Sequence, residues 1–199
     1  KKNSFRSKKY LEKKYKLNFL KPYLLLIQHP VTWQSNKAKF QICETLKAIK
    51  FLNVKTIAIY PCSDPGYKEI IKAYKTFDNK DNLRIYKNIN NDDFYSLLHY
   101  SSLLIGNSSC GITECGYLKK YVINIGMRQE GRISGRNVFN VEHDSKKIAI
   151  LIKKILKKKA FKNRVNIYGD GTSANKILKI IKKNYKMSKL IYKKFERLN

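Results

Sequence analysis

Acidic residues are scarce in this chain: 14 Asp and Glu stand against 43 Lys and Arg, a formal net charge of +29 over 199 residues. Long apolar runs are missing. Stretches such as Tyr23–Ile27 are strand-sized and fall far short of the roughly 20 residues that span a bilayer. The lysine-rich start has neither the apolar core nor the cleavage site of a secretory signal. It also has no initiator methionine, so the chain is expected to be a piece of something longer. The four cysteines, Cys43, Cys62, Cys110 and Cys115, form no CxxC pair and no disulfide-like spacing. A reduced, cytoplasmic protein is expected. A metal held by Cys62, Cys110 and His29 has no support from spacing, and Cys43 falls on the apolar side of a helical pattern.

The charge invites a polyanionic partner, because basic surfaces bind nucleic acid through counterion release. Its distribution argues otherwise. The excess is lysine spread along the whole chain beside abundant Asn, Ile and Tyr, the residues that an A/T-rich coding sequence over-produces. Only seven of the basic residues are arginine, and three of those, Arg128, Arg132 and Arg136, fall within nine positions. Arginine pairs bidentately with phosphate and carboxylate, which lysine does not. Neither a nucleic acid nor a membrane is therefore expected as a partner. A basic nucleic-acid-binding protein stands as the competing class, with steep salt dependence as its signature.

With 43% hydrophobic residues the chain can bury a single domain. It shows no internal repeat and no low-complexity linker. Strand patterns at Tyr23–Gln28, Lys55–Tyr60, Leu83–Lys87, Leu103–Gly106, Tyr121–Ile125 and Val138–Val141 alternate with helical ones. The helical patterns are Asn36–Phe51, Tyr67–Phe77, Asp92–Tyr100, Ile112–Leu118, Ser145–Lys158 and Thr172–Tyr185. This alternation predicts an α/β fold with a parallel sheet covered by helices on both faces. Residues 1–20 read as a helical lead-in or linker, 21–186 as the domain and 187–199 as a C-terminal helical tail. The lysines of 153–159 follow the apolar face of a helix and read as its solvated side.

Ligands of such sheets bind beyond the carboxyl ends of the strands. Four polar segments bearing Gly or Pro lie at those ends: 29–32, 61–66, 106–111 and 126–135. The stretch Leu103-Leu104-Ile105-Gly106-Asn107-Ser108-Ser109-Cys110-Gly111-Ile112-Thr113-Glu114 reads as a buried strand, a tight turn and a helix start. Free amides and the positive end of a helix dipole make such a turn an anion site. Ser108 and Ser109 add hydroxyl donors. Glu114 lies too far along to cap the helix and suits a neutral diol such as a ribose, so the segment suggests a nucleotide. A capped strand-to-helix turn with a surface glutamate explains the same residues.

His29 closes the first strand before Pro30, which favours an extended backbone there. It can bind a phosphate or protonate a departing oxygen near neutral pH, or be a structural histidine. His99 and His143 read as surface residues. In the glycine-punctuated segment 126–136, Arg128 lies nearest its strand and is the candidate to meet a substrate. Arg132 and Arg136 can instead order the loop or pair with Glu130. Asp170 in Tyr168-Gly169-Asp170-Gly171 reads as a turn residue.

Five ordered motifs together resemble one family, the hydrolysing UDP-N-acetylglucosamine 2-epimerases of the sialic-acid pathway. They are Gln28-His29-Pro30-Val31-Thr32, Tyr60-Pro61-Cys62-Ser63-Asp64-Pro65-Gly66, Ile105–Gly111, Val122–Arg132 and Tyr168–Gly171, and the likeness runs from about Lys8 to Lys182. The resemblance implies a Rossmann-like domain, the C-terminal half of a two-domain GT-B architecture, entered from the inter-domain linker. It implies that His29 contacts the nucleotide diphosphate and assists its departure. Ser108 and Ser109 would bind the diphosphate, Glu114 the ribose hydroxyls, and Arg128 the bound nucleotide. The implied reaction eliminates UDP from UDP-N-acetylglucosamine and hydrates the glycal to N-acetylmannosamine, with no nicotinamide and no catalytic metal. The full-length enzyme would be a homo-oligomer.

Two departures stand out. Cys62 occupies a nucleotide-contacting position that is usually asparagine, and a thiol is a weak donor and acceptor. The N-terminal half, which carries the family's acid–base carboxylates, is absent, and no paired carboxylates replace it here. The isolated chain is expected to bind UDP weakly and turn over little. A non-hydrolysing epimerase and one acting on a diacetamido sugar nucleotide are the related alternatives.

Overall fold

The computed structural model describes residues 5–77, 82–162 and 167–185. The expected tail, 187–199, lies outside them. The chain divides into two units, Lys1–Ile167 and Tyr168–Asn199.

In the first unit, six strands form one sheet: β1 (Tyr23–Ile27), β2 (Lys55–Ile59), β3 (Leu83–Tyr86), β4 (Leu103–Gly106), β5 (Val122–Ile125) and β6 (Val138–Val141). All pairings are parallel, in the order β3-β2-β1-β4-β5-β6. The central strands β1, β4 and β5 are buried along their whole length, as strands must be when helices cover both faces of the sheet. Alternation divides them between two cores. Leu24 and Leu26 of β1 face α2 (Ala38–Leu52), α3 (Tyr67–Thr76) and α6 (Ser145–Leu156). Leu25 and Ile27 face α1 (Lys8–Tyr15), α4 (Asn91–Tyr100) and α5 (Cys110–Tyr117). The fold is the α/β Rossmann-like sheet that the alternating pattern predicts.

The lead-in is more than a connector. Leu11, Tyr15 and Leu17 enter the second core, and α1 is tied to α4 by a buried carboxylate. Asp93, fully buried, accepts hydrogen bonds from Lys14 Nζ at 2.6 Å, Tyr15 Oη at 2.7 Å and Tyr10 Oη at 3.3 Å. Burial opposes its ionisation, yet the bonds from Lys14 and Tyr15 outweigh it and hold the carboxyl below its ordinary range. A depressed folded-state pKa contributes stability that is complete above the ordinary carboxyl range and is lost as pH falls through the folded value. Asp93→Asn should therefore cost about 2–3 kcal/mol at pH 7, the worth of hydrogen bonds to a charge. Urea melts at pH 7 and pH 3 should show the variant and the parent converging in acid.

The second unit contains α7 (Ser173–Asn184). Ahead of it Asp170 accepts from the Thr172 backbone N–H at 2.9 Å and from its hydroxyl, so it serves a turn.

Candidate functional site

Strand order sets the place. Chain crossovers leave β1 and β4 in opposite directions, so the loops after these neighbours part and open a crevice at the carboxyl edge. Leu26 pairs with Ile105 and Ile27 with Gly106, which brings His29 alongside the turn 106–109. Gly106 has φ +122°, and a Cβ there would lie 2.1 Å from the Ile27 carbonyl oxygen. Only glycine lets the two strands end so close together.

Asn107 locks the junction. Its backbone N–H donates to Ile27 O at 3.1 Å. Its side chain accepts from the His29 N–H at 2.7 Å and donates to His29 O at 2.9 Å. Its carbonyl accepts from Gln129 Nε2 at 2.9 Å and Arg128 at 3.2 Å. One buried amide residue thus joins the loops that follow β1, β4 and β5.

The His29 ring is fixed from the loop after β2. The Cys62 backbone N–H donates to His29 Nδ1 at 2.9 Å, so the neutral ring carries its proton on Nε2. Burial first and then Arg128 lower the His29 pKa, and with Asp64 pulling the other way it comes to about 4. With these neighbours the imidazole is a neutral Nε2–H donor at physiological pH. The Cys62 thiol donates to Asp64 Oδ2 at 3.0 Å, and burial, then that bond, pushes its pKa up. Arg128 lies 3.7 Å from the same carboxylate, spanning the mouth of the crevice.

Ser108 and Ser109 follow Asn107 into α5. Ser109 is the N-cap residue, its own hydroxyl makes no capping bond, and the side chain is exposed. Backbone carbonyls among the described residues do not engage the Ser108 and Ser109 amides. Gly111 allows α5 to lie hard on the sheet, since a Cβ there would meet Val122 at 2.9 Å. Glu114, half-buried, sits further along α5 and accepts from the Thr113 hydroxyl. On α4, the Tyr95 phenol pKa is raised by burial and then by the charge of Glu114.

The structure thus draws His29, Cys62 and Arg128 together around Asp64 and Asn107, with Ser108 and Ser109 beside them. Sequence reasoning missed Asn107 and Gln129 as the residues that hold the loops. It also placed His143 on the surface. Instead His143 Nε2 would lie 2.2 Å from a Cβ on Gly126, and both its ring nitrogens are buried. Burial lowers its pKa, opposed by the Gln41 backbone and Glu44. His99 is likewise half-buried, stacked on Phe5 at 3.9 Å. Arg132 orders its loop by donating to Gln129 Oε1 at 3.1 Å, and Arg136 is exposed. Next to the crevice, between the first turn of α5 and the ends of β5 and β6, lies a cleft of about 700 Å³.

The family model described as UDP-N-acetylglucosamine 2-epimerase matches residues 2–182. The chain belongs to this family. Among its relatives, a Legionella pneumophila protein described as UDP-N,N'-diacetylbacillosamine 2-epimerase (hydrolyzing) is 32% identical over 165 residues, 81% of this chain and 43% of the relative. A Campylobacter jejuni protein described as GDP/UDP-N,N'-diacetylbacillosamine 2-epimerase (hydrolyzing) is 30% identical over 200 residues, 96% of this chain and 51% of the relative. The fold matches that of the Neisseria meningitidis UDP-GlcNAc 2-epimerase bound to UDP-GlcNAc, with a TM-score of 0.65 and 18% identity. That match covers 89% of this chain and 49% of the other. The chain spans about half the length of these epimerases.

Proposed function

We propose that this chain is the nucleotide-binding, C-terminal half of a hydrolysing UDP-N-acetylglucosamine 2-epimerase, and that the whole enzyme is cytoplasmic and homo-oligomeric. The observation that carries the reading is the convergence of neutral His29, the Ser108–Ser109 turn and Arg128 on one crevice of a family member. Those are the donors that a departing nucleoside diphosphate needs.

Elimination breaks the sugar C1–oxygen bond and removes the C2 proton, leaving a glycal and UDP. Water then adds hydroxyl to C1 and a proton to C2 on the opposite face, giving N-acetylmannosamine. Charge develops on the bridging and terminal phosphate oxygens as UDP departs, and preorganised donors lower that barrier. His29 Nε2–H, the serine hydroxyls and amides, and Arg128 supply them, and Glu114 accepts from the ribose hydroxyls. The diphosphate raises the His29 pKa in turn, because an adjacent anion favours the charged imidazole. The Cys62 backbone holds the ring, so this task survives the loss of an asparagine side chain there. Carboxylates of the other half do the proton chemistry at C2.

A second reading is favoured by the two relatives at 30–32% identity, both described as acting on diacetylbacillosamine nucleotides. In that case a diacetamido sugar replaces N-acetylglucosamine with the same phosphate chemistry. Product analysis of the full-length enzyme separates the two, and free UDP marks the hydrolysing type.

The nucleotide site itself is tested by calorimetric titration with UDP at two salt concentrations. Saturable binding should weaken about 30-fold or more in a Ser109→Ala, Glu114→Ala double variant, given the worth of the hydrogen bonds lost. Indifference to UDP together with salt-sensitive binding of an unrelated polyanion would defeat the proposal.

A further inference from the structure

The opposite, amino edge of the sheet holds another concave place. A cleft of about 280 Å³ lies where β1, β4 and β5 begin, and α4, α5 and α6 all end at it. Three lysines line it, Lys119, Lys120 and Lys158. Among the described residues no carboxylate does, whereas Lys47, Lys72 and Lys147 on helix surfaces each pair with a glutamate. A helix carboxyl end carries about half a negative charge, so three such ends offset only about half of the three ammonium charges. The surplus suits a carboxylate or a phosphate.

Lys120 is the fixed point. Its backbone N–H donates to Cys115 O at 2.8 Å, and its carbonyl accepts from Asn137 Nδ2 at 2.9 Å. These bonds pin the approach to β5 between α5 and the loop before β6. Lys120 Nζ donates to Ser101 O at 3.0 Å. That neutral carbonyl engages one of the three donors of a half-buried ammonium, and burial lowers the Lys120 pKa accordingly. An anion in the cleft would give the charge the partner that burial demands.

Beside the lysines the lining is apolar and partly aromatic. The Tyr121 and Phe161 rings stand 5.4 Å apart at 59°, and Ile155 and Leu156 of α6 adjoin them. Rings so placed offer a face and an edge to a third ring. A cavity of about 150 Å³ admits benzene, so this cleft has room for one ring and the anionic group it carries. We propose that it binds a small aromatic acid, one ring bearing a carboxylate or phosphate, with Lys119, Lys120 and Lys158 around the anionic group and Tyr121 and Phe161 against the ring. The length of β4, four residues at about 3.3 Å each, separates this site from the Ser108–Ser109 turn. The proposal is therefore independent of the nucleotide reading.

The test titrates the 199-residue chain with phenyl phosphate, benzoate, inorganic phosphate and phenol, read by NMR of backbone amides. Phenyl phosphate or benzoate should shift the Ser102, Lys120 and Tyr121 amides saturably, and the tighter of the two identifies the anionic group. Inorganic phosphate and phenol, each with half of the contacts, should bind at least about tenfold more weakly than that acid. Lys120→Gln should weaken the acid about 10- to 100-fold, the worth of a charged donor. Lys158→Glu and Phe161→Ser, both beyond the end of α6, keep the test decisive if Lys120→Gln fails to fold, and each should weaken it about threefold to tenfold. Equal responses to inorganic phosphate and phenyl phosphate, with none to benzoate, would reduce the cleft to a patch of counterions and overturn the proposal. So would shifts that every variant retains, or shifts confined to Ser108 and Ser109, which would put the anion in the nucleotide crevice.

Discussion

Gly106→Ala should unfold the carboxyl edge of the sheet, at a cost of about 4 kcal/mol or more, the range reserved for severe core lesions. Two independent penalties coincide at this residue. Its φ of +122° lies where an L side chain is strained. The added methyl carbon would also stand 2.1 Å from Ile27 O and 2.6 Å from Ile27 C, atoms held by the strand pairing itself. Relief requires β1 and β4 to separate where Asn107 stitches them together. Gly131→Ala is the control: it has φ +77° but nothing within 4 Å of the new Cβ, so only the backbone term remains, about 1–2 kcal/mol. Chemical denaturation of both variants checks the difference. Similar costs would show that the close approach at Gly106 relaxes freely.

Local pattern carried the architecture because each element declares its own period. The run Leu103–Gly106 and the amphipathic helix Ser145–Leu156 are legible without any partner, and the observed boundaries lie within two residues of the expected ones. Strand order is less visible, since it depends on which runs pair. The polar strand ends pointed to the carboxyl edge, and the parallel order β3-β2-β1-β4-β5-β6 makes the β1–β4 gap their common meeting point. Long-range hydrogen bonds were beyond reach. Nothing local to Asn107 shows that it bonds His29, 78 positions away. Nor does the Cys62 side chain reveal that its backbone N–H fixes the imidazole. His143 was misplaced because its sequence neighbours, Glu142 and Asp144, are charged, while its ring packs under Gly126 from another loop.

Arg128→Ala should act on His29 and on UDP at once, in opposite senses. The guanidinium bonds the Asn107 carbonyl at 3.2 Å and is the second cause, after burial, of the low His29 pKa. Removing it should raise that pKa from about 4 toward the ordinary 6.5, and Asp64→Asn should lower it. Histidine resonances titrated by NMR in each variant give both shifts directly. The sign for stability follows from linkage. The unfolded chain binds the proton near pH 6.5 and the folded one only near pH 4, so parent stability should fall by about 3 kcal/mol as pH drops across that window. Arg128→Ala should flatten this slope, because the two pKa values move closer. UDP affinity should fall about 10- to 100-fold in the same variant, since a charged donor to the diphosphate is lost. A flattened slope with undiminished UDP binding would place Arg128 in the loop scaffold alone. Lost UDP binding with an unshifted His29 would mean that burial by itself sets the imidazole, and that Arg128 serves only the ligand.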